Sequence, residues 1–196
     1  INLYYKNFSD EICNGKVYKT FDNKKIYVGY LKDGKKDGQW NEWYVDGKKR
    51  LETTYKNGEL DGFWTFYYKN GQQVNDGNFK DGDTVGVWSE WYIDGVRKRE
   101  STYKDGKRNG LSTEWYRNGQ KRSESTYKDG EFDDVRTFWY KNGQMKANGR
   151  IKNGKIIGTI IYWYENGQEW IEETYKNGKV ISKKCWDENG NEKECN

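Results

Sequence analysis

A glycine register with a period of 24 residues constrains the fold of this chain more than any other feature. One series comprises Gly34, Gly58, Gly82, Gly106, Gly130, Gly154 and Gly178. A second series lies in the other half of each unit and comprises Gly47, Gly71, Gly95, Gly119, Gly143 and Gly167. A fixed period of this length is typical of repeat architectures, in which each unit packs mainly against its neighbours.

Every glycine of both series follows Asn or Asp. Asn-Gly and Asp-Gly are strong hairpin signals, because type I′ turns require positive φ at both central residues. Turns every 11 or 13 residues leave room only for short strands, and no helical periodicity competes with them. The sequence therefore predicts an all-β fold, an elongated single-layer antiparallel β-meander that is solenoid-like, with 24-residue hairpin repeats and roughly 14 strands.

Composition supports a repeat fold and limits the partners. Of the 196 residues, 33% are hydrophobic, 34% are charged and 17% are aromatic. The aliphatic content is too thin for a large globular core, whereas periodic aromatic residues argue against disorder. The net charge of +4 is spread over alternating acids and bases. We therefore expect no nucleic-acid partner. The chain has no apolar run long enough for a transmembrane helix.

Three segments are expected along the chain. Residues 1–30 form a degenerate N-terminal cap with an imperfect repeat, residues 31–182 form six hairpin repeats, and residues 183–196 form a C-terminal capping hairpin. The chain begins with Ile1 and not with Met, as it would after removal of a leader. We favour an extracytoplasmic location, secreted or in the envelope, over a cytoplasmic one.

Cys185 and Cys195 are the disulfide candidates, because they flank the hairpin signal at Asn189-Gly190. A bridge between them would close a loop of about ten residues and contribute roughly 2–3 kcal/mol in the chain-entropy model. The alternative is a pair of reduced cytoplasmic thiols. Cys13 would be left over in either case.

One face of the predicted sheet combines large aromatic residues with small ones. If two-residue loops join the strands at Asp46-Gly47, aromatic residues repeatedly lie opposite glycine or another small residue. The expected pairs are Gly38–Tyr55, Trp40–Thr53, Gly62–Phe79 and Trp64–Gly77. Such pairing stabilises strand glycines and supports the assumed register. We call this face the packed face.

The opposite face is polar apart from one aromatic residue in each repeat, and we call these residues the stripe and their face the stripe face. The stripe comprises Trp43, Tyr67, Trp91, Trp115, Trp139 and Trp163. The same register pairs four tryptophans with a cation: Trp43–Arg50, Trp91–Lys98, Trp115–Arg122 and Trp139–Lys146. The stripe is interpreted either as a cation–π ladder that stiffens the sheet or as a recognition surface, and these interpretations are compatible. A three-residue loop would shift the pairing by one residue.

The repeat motif resembles the MORN repeat, specifically its bacterial variant. The motif reads Tyr55-Lys56-Asn57-Gly58, Gly62, Trp64, Tyr67, Tyr68, Asn70 and Gly71, and its period covers residues 31–190. The resemblance implies one hairpin per repeat in a single-layer sheet and no catalytic residues. It also implies a protein-interaction or membrane-associated scaffold. One bacterial branch of the family is described as antitoxin-like or immunity-like.

The least regular unit lies around residues 131–136. Asp134 stands where the motif has its second glycine, and Arg136 stands where other repeats have tryptophan, as Ser112 and Ile160 also do. Such departures concentrate at functional or strained sites, although drift in a tolerant repeat would look the same. Asp133, Asp134 and Arg136 therefore join the candidate residues.

The sequence favours binding over catalysis. The chain has no histidine, which excludes Ser-His-Asp and Cys-His catalytic sites and histidine metal sites. It also has no calcium loop and no glycine-rich phosphate loop that opens a helix. We expect no catalytic residue, no metal and no cofactor.

The expected function is that of a non-catalytic scaffold that binds a protein partner through one sheet face. An antitoxin or immunity protein that binds a toxin is the leading form of this hypothesis. The alternatives are an adhesin, secreted or on the surface, that binds host protein or glycan, and an envelope structural protein that self-associates through its sheet edges. The expected binding residues are the stripe together with Arg50, Lys98, Arg122, Asp133, Asp134 and Arg136.

Overall fold

Antiparallel strands joined by short turns make up the described part of the chain. The computed structural model describes residues 12–21 and 23–195. Its strands are β1 (Gly15–Phe21), β2 (Lys24–Lys32), β3 (Lys35–Trp43), β4 (Lys49–Lys56), β5 (Glu59–Tyr67), β6 (Gln73–Lys80), β7 (Asp83–Trp91), β8 (Arg97–Lys104), β9 (Lys107–Trp115), β10 (Lys121–Lys128), β11 (Glu131–Trp139), β12 (Met145–Lys152), β13 (Lys155–Trp163), β14 (Glu169–Lys176), β15 (Lys179–Trp186) and β16 (Glu192–Lys193). Their order in the sheet is their order in the chain, which confirms the predicted all-β meander.

The sheet contains 16 strands, more than the rough count from the sequence. The irregular segment before residue 31 still forms a hairpin, in which β1 pairs with β2 from Gly15–Leu31 to Phe21–Lys24. The chain then ends in the short strand β16, which pairs with β15. Residues 1–11 of the expected cap lie outside the described residues. The division into cap, repeats and capping hairpin stays a prediction.

The chain divides into two compact units. The N-terminal unit contains the described residues up to Gly95 together with 104–106, and thus β1 to β7. The C-terminal unit contains residues 96–103 and the described residues from Lys107 onward, and thus β9 to β16 with most of β8.

Two kinds of turn alternate along the chain. At Asn57 and Gly58 φ is 52° and 90°, which is the type I′ conformation that the sequence predicts. At Asp46-Gly47 only the glycine has positive φ, at 80°. There the Gly47 amide donates to the Tyr44 carbonyl at 3.0 Å. This geometry is a type I turn followed by a glycine bulge, with a three-residue loop.

The prediction of type I′ turns throughout is therefore wrong for the second glycine series. Side-chain hydrogen bonds explain how an Asn residue is held in the type I turn. Asn70 accepts a hydrogen bond from the Gln72 amide at 3.1 Å, and its side-chain amide donates to the Ile93 carbonyl at 2.9 Å. The same Asn-Gly dipeptide thus serves two turn types, which differ in loop length.

The glycine bulge keeps most of the predicted register and changes its end. The pairs Gly38–Tyr55, Trp40–Thr53, Gly62–Phe79 and Trp64–Gly77 are confirmed. The register shifts between Glu42 and Trp43, so that Trp43 lies opposite Lys49 and not opposite Arg50. The bulge inserts one residue beside each turn, and this moves the partner of each stripe residue by one position.

Apolar packing in the described residues is thin and relies on aromatic rings placed over small residues. The only buried apolar side chains there are Leu31, Ile160 and Cys185. In the N-terminal unit, the Trp64 and Trp88 rings lie 5.6 Å apart. A Cβ atom added at Gly77 would lie 2.3 Å from the Trp88 ring, so the glycine makes room for the indole. Stability therefore depends on this close approach.

We predict that Gly77→Ala destabilises the protein by about 1–3 kcal/mol, because the added methyl group displaces the Trp88 ring. The φ angle of Gly77 is not in the left-handed region, so backbone strain does not contribute. The free energy of unfolding, measured by chemical denaturation, checks the effect. In a Trp88→Leu background the cost should fall by about 1 kcal/mol or more. Equal costs in both backgrounds would contradict the packing explanation.

Candidate functional site

On the stripe face, Trp139 belongs to a set with a cation and a carboxylate. The Lys121 ammonium lies 5.5 Å from the centre of the Trp139 ring. It also donates a hydrogen bond of 2.6 Å to Glu124. The Thr113 hydroxyl donates to the same carboxylate at 3.4 Å. The lysine is thus fixed between an aromatic ring and an acid.

The same set recurs at other repeats, and its cation is the residue two positions after the turn glycine. Arg97 lies 5.5 Å from the Trp115 ring and pairs with Glu100 at 2.8 Å. In the N-terminal unit, Lys49 pairs with Glu52 at 3.0 Å, and the Tyr67 hydroxyl donates to Glu52 at 3.3 Å. Burial raises the pKa of Tyr67, and the Glu52 carboxylate raises it further. Each of the two compact units thus has at least one cation–carboxylate–aromatic set.

The cations expected beside the stripe have other partners. Arg50 pairs with Glu42 at 2.7 Å and lies 5.5 Å from the Phe66 ring. Arg122 lies 3.8 Å from Glu114. These side chains therefore contact residues of the packed face, and the predicted pairs Trp43–Arg50 and Trp115–Arg122 are wrong.

The other two cations expected beside the stripe are Lys146 and Lys98. Lys146 lies 5.3 Å from the Tyr140 ring, whereas Trp139 lies opposite Met145, so the predicted pair Trp139–Lys146 is wrong as well. Lys98 is an exposed residue of β8. The bulge at each turn explains the shift, because the third loop residue moves the pairing by one position.

The stripe is not uniform along the chain. The position that supplies the cation is occupied by Lys49, Gln73, Arg97, Lys121, Met145 and Glu169. Trp163 lies opposite Glu169. No cation covers the Trp163 ring in the part of the chain that the structure describes. Trp115 and Trp139 are therefore the best-supported pair of the stripe.

Tyrosine hydroxyl groups fix the spacing of the stripe. At four bulged turns, those of Tyr44, Tyr68, Tyr116 and Tyr140, the tyrosine that begins the turn donates to the backbone carbonyl of the stripe residue in the next repeat. Tyr116 bonds the Trp139 carbonyl at 2.8 Å, and Tyr140 bonds the Trp163 carbonyl at 2.8 Å. In the N-terminal unit, Tyr44 bonds the Tyr67 carbonyl at 2.6 Å. These bonds hold neighbouring stripe residues at a constant separation.

The candidate binding residues in the least regular repeat, around residues 131–136, lie apart from the stripe. Arg136 pairs with Gly149 across the strands and so belongs to the packed face. Asp134 has a φ of 76° and lies 3.5 Å from Arg150, so it keeps the backbone conformation of the glycine that it replaces. Asp133 is half-buried in β11. The expected binding residues therefore divide between two faces.

Within the described residues, no group of three or more Cys, Asp or Glu side chains is arranged to hold a metal ion. No helix long and apolar enough to span a membrane occurs in that part of the chain.

Two segments of the chain match a known family, the MORN repeat variant. The matches cover residues 108–129 and 156–177. These two segments are similar to MORN-variant repeats. Each matched segment contains nearly all of one hairpin, β9–β10 or β13–β14, with its bulged turn. MORN repeats generally mediate interactions with proteins or membranes and are non-enzymatic scaffolds. A comparison with curated proteins found no match.

We predict that Tyr140→Phe lowers the free energy of unfolding by about 0.5–1.5 kcal/mol, because it removes the hydrogen bond to the Trp163 carbonyl. Tyr162→Phe is the matched control. Tyr162 is half-buried in the same unit, and no hydrogen bond of its hydroxyl is seen among the described residues. Chemical denaturation of both variants checks the difference. Equal effects would contradict a role for the tyrosine hydroxyl in joining repeats.

Proposed function

We propose that this MORN-repeat protein is a non-catalytic scaffold that binds a protein partner through its stripe face. The observation that carries the proposal is the recurring set of aromatic ring, cation and carboxylate, best defined at Trp115 and Trp139. Tryptophan and arginine are enriched among residues that dominate binding energy at interfaces. The general role of MORN repeats in interaction supports the same conclusion.

The organisation of the stripe favours binding by a rigid surface. The ion pairs hold the charged side chains, and the tyrosine bonds hold the backbone of the stripe residues, before a partner arrives. Less conformational entropy is then lost when the complex forms. Alternating cations and carboxylates would contribute specificity and association rate more than raw affinity. A partner with a complementary pattern of charges around an apolar centre would fit such a surface.

A toxin is the partner class that we favour, with the scaffold acting as its antitoxin or immunity protein. Binding over a broad face would block a toxin without any chemistry, which agrees with a non-enzymatic repeat. The antitoxin role is tested by expressing the gene of the partner that this chain retrieves, first alone and then together with this chain. Growth inhibition that is relieved by the chain is the expected result. A partner that has no effect on growth would contradict the antitoxin role and leave the scaffold role standing.

The disulfide supports a second candidate function. The Cys185 and Cys195 sulfur atoms lie 2.06 Å apart as a disulfide. Disulfides persist mainly in oxidising compartments, which favours an extracytoplasmic adhesin that binds protein or glycan through the same stripe. Measurement of the intact mass before and after reduction tests the disulfide, because its reduction adds two hydrogens to the protein. An unchanged mass would remove the support for this candidate.

We predict that the double variant Trp115→Ala/Trp139→Ala weakens binding of the protein partner by about tenfold or more, because it removes two aromatic centres of the interface. The wild-type chain, immobilised, retrieves the partner from the source cells, and the purified partner is then titrated by calorimetry. Trp170→Ala is the matched control, since Trp170 is an exposed tryptophan, 41% accessible, of the same unit outside the stripe.

A loss of binding implicates the stripe only if the double variant is folded. Circular dichroism and thermal unfolding must first show that the double variant is folded. A folded double variant that binds with wild-type affinity would contradict the stripe as the binding surface. A variant that unfolds would assign the stripe to stability, and the single variant Trp115→Ala would then be titrated.

A further inference from the structure

The packed face has a vacant position in the C-terminal unit. In the N-terminal unit, Trp40, Trp64 and Trp88 occupy one position of successive repeats and cover small neighbours such as Thr53 and Gly77. The next repeat has serine at this position. This serine, Ser112, shares a hydrogen bond with Ser101 and lies opposite Ser125 across the strands. The ring is therefore absent, while the neighbours stay as small as if it were present.

Ser112 and Ser125 form the floor of the vacancy, and Ser101 lies beside Ser112 outside the pocket. The accessible fractions of Ser101, Ser112 and Ser125 are only 2%, 6% and 6%. The Ser101 and Ser112 hydroxyl oxygens lie 2.7 Å apart and share a hydrogen bond. Ser125 pairs with Ser112 across the strands. The floor is thus polar, and the Ser112 hydroxyl already has a hydrogen-bond partner.

A pocket of about 510 Å³ opens over this floor. Its walls include the rings of Tyr127, Phe138 and Tyr162. This volume is within the range of ligand pockets, and the lining combines five aromatic residues with seven polar or charged ones. The pocket lies wholly within the C-terminal unit, so it needs no other part of the chain.

The charged groups of the pocket are mainly cations. Its charged lining residues are Glu114, Arg122, Arg136 and Lys146, three cations and one carboxylate. Glu114 already lies 3.8 Å from Arg122. The pocket therefore favours a ligand with negative charge.

Arg136 is held in position with unused donors. Its guanidinium lies 4.3 Å from the Phe132 ring centre and 4.6 Å from the Phe138 ring centre. Its Nε atom is buried and has no hydrogen-bond partner among the described residues. Arginine prefers planar acceptors such as carboxylates, which it binds with two parallel hydrogen bonds. A group fixed by two rings while its donors stay free is prepared for an acidic ligand.

We propose that this pocket binds an aromatic side chain of an acidic peptide segment in a partner protein. The ring lies in the pocket against Ser112 and Ser125, beside Tyr127 and Phe138. Carboxylates next to that ring pair with Arg136 and Arg122. Most of the pocket's lining belongs to the packed face, but the stripe residue Trp139 also lines it, whereas Trp115 does not. Variants of Trp115 therefore distinguish the stripe from the pocket.

Fluorescence anisotropy with defined peptides tests the proposal. The probe is the fluorescein-labelled, amidated peptide Gly-Ser-Asp-Asp-Trp-Asp-Asp-Ser-Gly, and one comparison peptide has Ala in place of Trp while another has Lys in place of each Asp. Each comparison peptide should bind about tenfold more weakly or worse. Equal binding of the Ala peptide would overturn the aromatic site, and equal binding of the Lys peptide would overturn the acidic preference.

Two variants connect the binding to the pocket. Ser112→Trp restores the ring of the regular repeat against small neighbours, so the protein should fold with equal or higher thermal stability while the probe peptide binds about tenfold more weakly or worse. Arg136→Gln should weaken the probe similarly, and Lys152→Gln, an exposed lysine of β12 outside the pocket, should not. Trp115→Ala, on the stripe, should leave peptide binding unchanged.

The results of these variants distinguish binding in the pocket from general charge attraction and from binding at the stripe. Wild-type affinity in both Ser112→Trp and Arg136→Gln would overturn the proposal, as would an equal loss in Lys152→Gln, which would indicate general charge attraction. If Ser112→Trp fails to fold, the comparison of Arg136→Gln with Lys152→Gln decides the question. Loss of peptide binding in Trp115→Ala would assign the peptide to the stripe and also overturn the pocket.

Discussion

Hydrogen bonds between neighbouring repeats are the interaction on which the rest of the structure depends. At several type I′ turns, the amide of the turn glycine donates to a carbonyl of the preceding repeat. Gly58 bonds Lys36, Gly82 bonds Leu60, and Gly130 bonds Arg108, at 2.8–2.9 Å. At the bulged turns, the tyrosine hydroxyl bonds the next repeat. A layer with so few buried apolar side chains needs such nearest-neighbour bonds at both ends of its strands.

This scaffold leaves side chains on both faces free for different tasks. These hydrogen bonds hold the backbone, so the stripe can carry half-buried aromatic rings and charged groups without loss of the fold. On the packed face the indoles of the N-terminal unit fill their own positions, whereas Ser112 leaves one position open. Departures from the repeat thus change what a position binds while the backbone stays the same. Asp134, which keeps a positive φ of 76° in place of glycine, shows how far the backbone resists such changes.

The repeat and its pairing were readable from the sequence because they depend on local rules. Glycine spacing set the strands, and the opposition of Trp64 to Gly77 set the register. The turn type was not readable, since Asn-Gly is compatible with both kinds of turn and only the loop length distinguishes them. That one residue decides whether Lys121 or Arg122 lies against a stripe tryptophan. The pocket was also hidden, because Ser112 resembles drift until its neighbours in space are known.

Native-state hydrogen exchange of the turn glycine amides tests the central claim most directly. In an isolated type I′ turn these amides would face solvent, whereas here each one donates to the preceding repeat. The account predicts that the amides of Gly58, Gly82 and Gly130 exchange at least about a hundredfold more slowly than the same amides in the unfolded chain, as expected for bonds that break only when neighbouring repeats separate. Exchange at the unfolded-chain rate would show that the repeats are not joined at their turns and would contradict the account.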